Sequence, residues 1–515
     1  MNIAELIRYW ARWRPDHPAV IHNDREMSWA EYDARSDALA RGLRAAGVEQ
    51  GDRVGLLMTN RIEAPLLVAA CLKLGAIFVP LNFRLTAVEL LPLLEDAECR
   101  VVVSEAHLLP QLELAAGQLG FTVYATDTSD VRAFGQLEVD EAGLPTAAIG
   151  LTDPAFICYT SGTTGRQKGA LLTHGSAMYP GMAKNLAEGL TWRDRVLVAV
   201  PFVFTGAVIS CFIQIAVNGG ATMVLESDFD VDRYLDVIQR HRVTAMTTVP
   251  VIWQRLLRSD NFAGADLGHV ISAAAGGAPV TLDLIEAYRA KGLALIQSYG
   301  LTEASGLVAT MHSDDAMKHI GWAGRAIMGS EVRIGDEHGN TLPLGETGEI
   351  MVKGPHVMRE YWRKPDITAQ TIVDGWLRTG DVGLMNEAGF LKLVDRSKDM
   401  LISGGINVYP AEIEQALAGV AGVTELAVIG VPDAEWGEVP MVVAHAHGDQ
   451  EAVMRALEAA GADTLARFKR PRHMVFIDTP LPRTLSGKVS KPTLRDQFPT
   501  AQGASPLFAA RSEAQ

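Results

Sequence analysis

Cysteine is scarce in this chain: Cys71, Cys99, Cys158 and Cys211 stand far apart, with no CxxC pair among them. That spacing excludes a disulfide framework and a thiolate metal cage, and it reads as small buried hydrophobes in a reducing compartment. Positive charge is also short. Lys plus Arg number 46 against 61 Asp plus Glu, a net charge of −15. Such a surface repels nucleic acid and anionic lipid, so any polyphosphate ligand must be met by local groups. The N-terminus lacks the unbroken apolar core of a signal peptide, because Glu5, Arg8, Arg12 and Arg14 interrupt it, and a cytoplasmic location is expected. Internal repeats are missing. One stretch, Val196 to Leu225, has no charge at all, although a bilayer needs only roughly 20 apolar residues to be spanned. Pro201, Gly206, Asn218, Gly219 and Gly220 break it, so we expect a buried strand, loop and helix there and no transmembrane segment.

What the chain does have is length and an ordinary globular texture. At 515 residues with 48% hydrophobic content, it exceeds one ordinary core, and two or three domains are expected. Short Val- and Ile-rich runs alternate with helical patterns: Arg53 to Met58, then Ile62 to Leu74, then Ala76 to Pro80. This rhythm predicts a large α/β body of βα-layered, mostly parallel sheets. From about residue 330 to 395 the Gly- and Asn-punctuated string VRIGDEHGNTLPLGETGEIMVKG predicts a small β-rich subdomain. A further small α+β domain follows, with a helix from about Pro410 to Ala418 and strands at Glu425 to Gly430 and Met441 to His445. The predicted layout is therefore an N-terminal domain over 1–397, a mobile C-terminal domain over 398–499, and a frayed Ala-, Ser- and Gln-rich tail over 500–515.

The strongest local signal is YTSGTTGRQKGA, Tyr159 to Ala170, which follows the strand-like run AFICYT. Thr160, Ser161, Thr163 and Thr164 alternate with Gly162, Gly165 and Gly169, and Lys168 adds a charge. Glycines admit backbone amides to a phosphate and hydroxyls donate further bonds, so the run reads as a phosphate cradle, with a plain polar turn as the alternative. It is not a GxxxxGK[ST] loop. Elsewhere, Glu303 in QSYGLTEAS is an acid in an otherwise uncharged turn and suits Mg²⁺. Asp381 in GWLRTGD sits in a turn where a carboxylate can accept two hydroxyls. In AGGAP, Gly276 and Gly277 leave room for a flat ring to lie on the backbone.

The string YTSGTTGRQKG resembles the YTSGTTGxPKG signature of the adenylate-forming superfamily, which includes acyl-CoA synthetases, luciferases and peptide-synthetase adenylation domains. Further signatures follow in that family's order: AGGAP (Ala275 to Pro279), QSYGLTEAS (Gln297 to Ser305), GEI and GWLRTGD (Gly348 to Asp381), DRSKDMLISGGINVYPAEIE (Asp395 to Glu414) and PRTLSGK (Pro482 to Lys488). The likeness runs from about Ala4 to Asp496. It implies an ATP-dependent carboxylate:CoA ligase using ATP, Mg²⁺ and coenzyme A, which makes an acyl-adenylate and passes the acyl group to the thiol. A small-molecule carboxylic acid is the expected partner, no nucleic acid is, and a homodimer is left open.

Residue by residue, the resemblance implies that Lys488 stabilises charge during adenylation, and that Glu303 holds the metal with Thr302 at the phosphate. It further implies nucleotide contacts from Thr160, Ser161, Gly162, Thr163, Thr164, Gly165 and Lys168, from Gly276, Gly277, Ala278 and Pro279, and from Tyr299 and Gly300. Asp381 would take the ribose hydroxyls with Arg396 beside it, Lys398 would be the hinge, and Gly404 and Gly405 would serve the second half-reaction. Two positions depart from the pattern: Gln167 replaces a usual proline, and Phe204 replaces a frequent histidine. Phe202, Val203, Phe204, Val208 and Ile209 fall in the uncharged run that shapes the acyl pocket in the family. An unpaired buried charge is costly, so this run disfavours amino acids and dicarboxylates and suits an apolar fatty or aromatic monocarboxylate. The basic cluster Arg467, Lys469, Arg470 and Arg472 reads as a solvated face ahead of a CoA-phosphate contact. Competing classes are a separate carrier-loading enzyme, a luciferase-like oxidase and a non-enzymatic acyl or nucleotide sensor.

Overall fold

The uncharged run folds as the strand Arg195–Val198, a π-helix Gly206–Val217 and the strand Thr222–Leu225. In this computed structural model the described residues are 2–129, 132–139, 148–160, 167–227, 230–277, 280–396, 399–403, 406–434, 436–465, 467–484 and 488–508. The strand and the helix match expectation; the π form does not follow from apolar patterning, which is blind to one extra residue per turn. From Ala207 to Val217 every residue of the helix is buried. Gly220 ends the segment at φ 70°, and a Cβ there would lie 2.5 Å from the Trp10 ring. Among the described residues no helix is long and apolar enough to cross a membrane.

The chain divides into two compact units, 1–332 with 351–379 and 389–391, and 333–350 with 380–388 and 392–515. The first unit carries two large sheets. One has nine strands in the order Arg325–Ala326, Ala309–Thr310, Leu295–Tyr299, Ser272–Gly276, Ala245–Thr248, Arg195–Val198, Thr222–Leu225, Pro18–His22, Arg25–Ser28. Its central strands are parallel, as βα connections require. The second has eight strands and places Pro154–Thr160 between Lys168–Thr173 and Ile77–Leu81. The helix Glu63–Leu74 serves this body; every residue from Ala64 to Leu74 is buried, Lys73 being paired with Asp33 and Asp37, and the helix closes on Gly75 at φ 79°. Helix His174–Glu188 starts from a capping box between Thr173 and Ser176 and stops at Gly189, φ 69°. All four cysteines are free and buried, and burial pushes the thiols of Cys99 and Cys158 up to about 12.

The expected β-rich stretch forms the strands Glu331–Gly335, Gly348–Lys353, Ile372–Val373, Trp376–Met385 and Leu391–Arg396. In the second unit, the expected strands are the long antiparallel pair Val423–Asp433 and Gly437–Ala446, preceded by the helix Pro410–Ala416. The frayed tail needs correcting over its first half. Ser505–Pro506 pairs with His473–Met474, Leu507 is fully buried, and the Phe508 amide donates to Glu458 Oε1 at 3.0 Å. Two apolar residues after a polar stretch are enough to dock it, and composition averaged over the segment hides them. Residues 509–515 lie outside the described residues.

Candidate active site

Strands Pro154–Thr160 and Lys168–Thr173 form a hairpin with Thr160 opposite Lys168. Ser161, Gly162, Thr163, Thr164 and Gly165, between them, lie outside the described residues. At the root of this loop the Thr160 hydroxyl reaches Glu303 Oε1 at 3.3 Å and the Lys168 carbonyl at 3.4 Å. Glu303 stands on the short 3-10 turn Thr302–Ala304, directly after the strand Leu295–Tyr299. Its Oε1 also accepts from the Tyr361 hydroxyl at 2.8 Å, while its backbone carbonyl takes the Met358 amide at 2.8 Å. Among the described residues these bonds fall on Oε1 alone. The other carboxylate oxygen has no hydrogen bond among the described residues, and Mg²⁺ characteristically takes one or two protein carboxylates and completes its shell with phosphate and water. Thr302 is held by Thr205, Oγ1 to Oγ1 at 3.1 Å.

Tyr361 reaches this position because Glu360–Tyr361 pairs antiparallel with Leu171 and Ala170 on the edge of the hairpin. Lys168 Nζ lies 5.2 Å from the Tyr361 ring centroid, within cation–π range. Asp96 ties the same region together. It accepts from Tyr159 Oη at 2.8 Å and Lys364 Nζ at 2.6 Å, and its carbonyl takes Trp362 Nε1 at 3.0 Å. Burial first, and then the charges of Asp96 and Glu303 respectively, hold Tyr159 and Tyr361 well above the ordinary phenol range.

Gly276 ends the strand Ser272–Gly276 opposite Ser298, so the AGG and QSYG strings meet in adjacent parallel strands. Gly277 follows at φ 82°, while Ala278 and Pro279 lie outside the described residues. A Cβ on Gly300 would stand 2.1 Å from the Gly306 carbonyl oxygen, so only glycine fits that turn. Tyr299 is buried. Phe202, Val203 and Val208 are buried and Phe204 is half-buried. The Phe202 amide donates to Asn60 Oδ1 at 2.6 Å and its ring sits 5.5 Å from Phe212.

In the second unit, Asp381 is 6% exposed and follows Gly380, whose amide donates to Glu349 Oε1 at 3.0 Å. Arg396 closes the strand Leu391–Arg396; Lys398, Gly404 and Gly405 lie outside the described residues. Lys488 is exposed at the foot of a narrow hairpin, where its carbonyl accepts from the Thr484 amide at 2.6 Å and Arg483 bridges to Val489. Three members of the basic cluster are engaged locally: Lys469 with Glu412 at 2.6 Å, Arg470 with the carbonyls of Leu465 and Ala462, and Arg472 over the Trp436 ring.

Residues 7–362 match the AMP-binding enzyme family model, and residues 412–488 match that of the AMP-binding enzyme C-terminal domain. The chain belongs to the AMP-binding enzyme family. Among relatives, it is 39% identical over 493 residues to a feruloyl-CoA synthase from Amycolatopsis sp, covering 95% of this chain and 97% of that one. It is 36% identical over 500 residues to the long-chain-fatty-acid–CoA ligase FadD13 from Mycobacterium tuberculosis, with 96% and 98% covered. Among solved structures, the O-succinylbenzoate coenzyme A synthetase (MenE) of Bacillus subtilis in complex with ATP and magnesium ion aligns at TM-score 0.85 and 31% identity, covering 95% of this chain and 99% of that chain.

Within this AMP-binding enzyme, the structure brings together Thr160, Lys168, Thr302 and Glu303, and separately Gly276 with the strand of Tyr299. Sequence reading missed Tyr361, Asp96 and Thr205, which hold Glu303, Tyr159 and Thr302 respectively. Their partners are 58, 63 and 97 positions away, so no local spacing reveals them. The one available signal was the polar-aromatic string EYWRK beyond the β-rich turn strings.

Proposed function

We propose that this AMP-binding enzyme ligates an apolar monocarboxylate, aromatic or fatty, to coenzyme A. The activity is ATP-dependent acid–thiol ligation in two half-reactions. A carboxylate oxygen of the acid attacks the α-phosphorus of ATP, the bond to the bridging oxygen breaks, and pyrophosphate leaves. The CoA sulfur then attacks the acyl carbonyl, and AMP leaves with the electron pair of the acyl–oxygen bond. The chain supplies position and charge, which dominate phosphoryl and acyl transfer. Glu303 would hold Mg²⁺ through the oxygen that Tyr361 and Thr160 leave open; the metal offsets phosphate charge. In this reading Lys168 and Thr302 meet phosphate oxygens, Asp381 accepts the ribose hydroxyls, and Lys488 offsets the charge that develops as pyrophosphate departs. Lys398 is proposed as the hinge between domains 1–397 and 398–499.

The observation that carries this reading is the Glu303 carboxylate, fixed on one oxygen at the root of the phosphate-loop hairpin. The apolar acyl preference is supported by buried Phe202, Val203 and Val208. The test is a panel of fatty, aromatic and dicarboxylic acids assayed for CoA-dependent AMP release. Turnover confined to apolar monocarboxylates is expected, and preferred turnover of a dicarboxylate or an amino acid would reject the substrate class.

A further inference from the structure

Asp96 occupies the last turn of the helix Ala87–Ala97, where the helix dipole disfavours an anion. No basic residue stands in that turn, and Glu95 and Glu98 repeat the negative sign. Helix stability alone therefore gives no reason for a carboxylate at this position. Its partners come from elsewhere in the chain: the Tyr159 hydroxyl and Lys364 Nζ meet the carboxylate, and the Trp362 indole meets the carbonyl, at separations of 63, 268 and 266 positions.

These partners reach both strands of the phosphate-loop hairpin. Tyr159 belongs to Pro154–Thr160 and stands opposite Gly169 of Lys168–Thr173. Trp362, whose indole donates to the Asp96 carbonyl, gives its backbone amide to the Gly169 carbonyl at 2.7 Å. Asp96 thus holds one strand through the Tyr159 hydroxyl and the other through Trp362. The packing between the strands is close: a Cβ on Gly169 would lie 2.6 Å from Ile157 Cγ2 and 3.3 Å from Tyr159 Cε1. Thr160 and Lys168 are the next residues along the two strands, where Thr160 bonds Glu303 and Lys168 lies over the Tyr361 ring. Gly276 and Tyr299 belong instead to the nine-stranded sheet, whereas the hairpin belongs to the eight-stranded one.

We infer that Asp96 is a positioning residue for the triphosphate of ATP. By clamping both strands of the hairpin it sets where Thr160 and Lys168 meet phosphate oxygens, and it takes no part in holding the nucleoside. This inference rests on the ligase reading and adds to it a residue that touches no substrate. The clamp depends on a protonated phenol, and burial together with the Asp96 charge keeps Tyr159 in that form.

The test compares the binding of α,β-methylene-ATP in the presence of Mg²⁺ with that of AMP, each measured by isothermal titration calorimetry on the full chain. Tyr159→Phe removes one hydroxyl and keeps the ring, while Asp96→Ala removes the clamp itself. Each is expected to raise the Kd for the ATP analogue by at least about 10-fold, the scale of losing one hydrogen bond to a charged group. The Kd for AMP is expected to stay at the wild-type value, because the nucleoside is held by the other sheet. Where Asp96→Ala fails to fold, Tyr159→Phe decides the matter. An unchanged Kd for the analogue in folded Tyr159→Phe overturns the inference. Equal weakening of AMP and the analogue also overturns it, since a merely structural role would loosen both. Binding of neither nucleotide by the wild-type protein would instead overturn the ligase reading.

Discussion

Tyr361 donates its phenolic hydrogen to Oε1 of Glu303 at 2.8 Å, bridging 58 positions of sequence. Burial, reinforced by the Glu303 charge, holds the phenol protonated far above neutral pH, so Tyr361 acts as a donor under all working conditions. The bond fixes one carboxylate oxygen and thereby aims the other. Under the proposed function Tyr361 is thus a positioning residue for Glu303.

Tyr361→Phe keeps the ring and removes the donor. A hydrogen bond to a charged group contributes about 1.5–3 kcal/mol, so the Mg²⁺ concentration for half-maximal pyrophosphate exchange should rise by at least about 10-fold. The KM for the acid should move far less. A coincident Mg²⁺ titration for wild type and variant would reject the role.

Glu303→Gln keeps the shape and removes the charge that offsets the metal. Mg²⁺-dependent turnover should fall by more than in Tyr361→Phe. The double variant should lose little beyond Glu303→Gln alone, because the phenol acts only through the carboxylate it orients. Fully additive losses in pyrophosphate exchange would show that Tyr361 acts on something other than Glu303.

How much of this was legible from the chain varies with the distance between cause and effect. The helix expected from about Pro410 to Ala418 is found at Pro410–Ala416, because caps and periodicity are local. The phosphate-loop hairpin was legible for the same reason: strand, glycine-rich turn and strand are contiguous. Tyr361 and Asp96 were not, since strand pairing at a sheet edge delivers Tyr361 and the end of helix Ala87–Ala97 delivers Asp96. The Lys184–Glu188 ion pair was not legible either, because both residues precede the uncharged run and come alongside it only through helix packing. The π-helix Gly206–Val217 escaped because an all-apolar segment has no polar face from which to read its period.

Lys488→Ala should separate the two half-reactions. Its ammonium is assigned to the charge that builds as pyrophosphate departs, and that charge is absent once the adenylate exists. Pyrophosphate exchange should drop by at least about 100-fold, the usual scale for losing one electrostatic stabiliser. Thioester formation from synthetic acyl-adenylate and CoA should be largely retained. Equal loss in both assays would assign Lys488 a structural role.

Two buried histidines are expected to make stability fall with acidity. His174 and His356 are fully buried, and burial pulls both down to about 4 from the ordinary 6.5. His174 Nδ1 accepts the Ile3 amide at 3.4 Å, a bond that needs the neutral ring. In the unfolded chain the same groups titrate near 6.5, so between that pH and about 4 the unfolded state binds more protons. Their contribution is thus complete above pH 6.5 and is lost as pH falls toward 4. At 1.36 kcal/mol per unit the full loss is on the order of 3 kcal/mol for each histidine. Urea unfolding at intervals from about pH 7.5 to 5.5, above the range where most carboxylates titrate, should show stability falling with acidity. His356→Gln should flatten that slope while lowering stability at pH 7.5 through lost packing. An unchanged slope in folded His356→Gln would mean that His356 stays neutral in both states and contributes nothing to acid sensitivity.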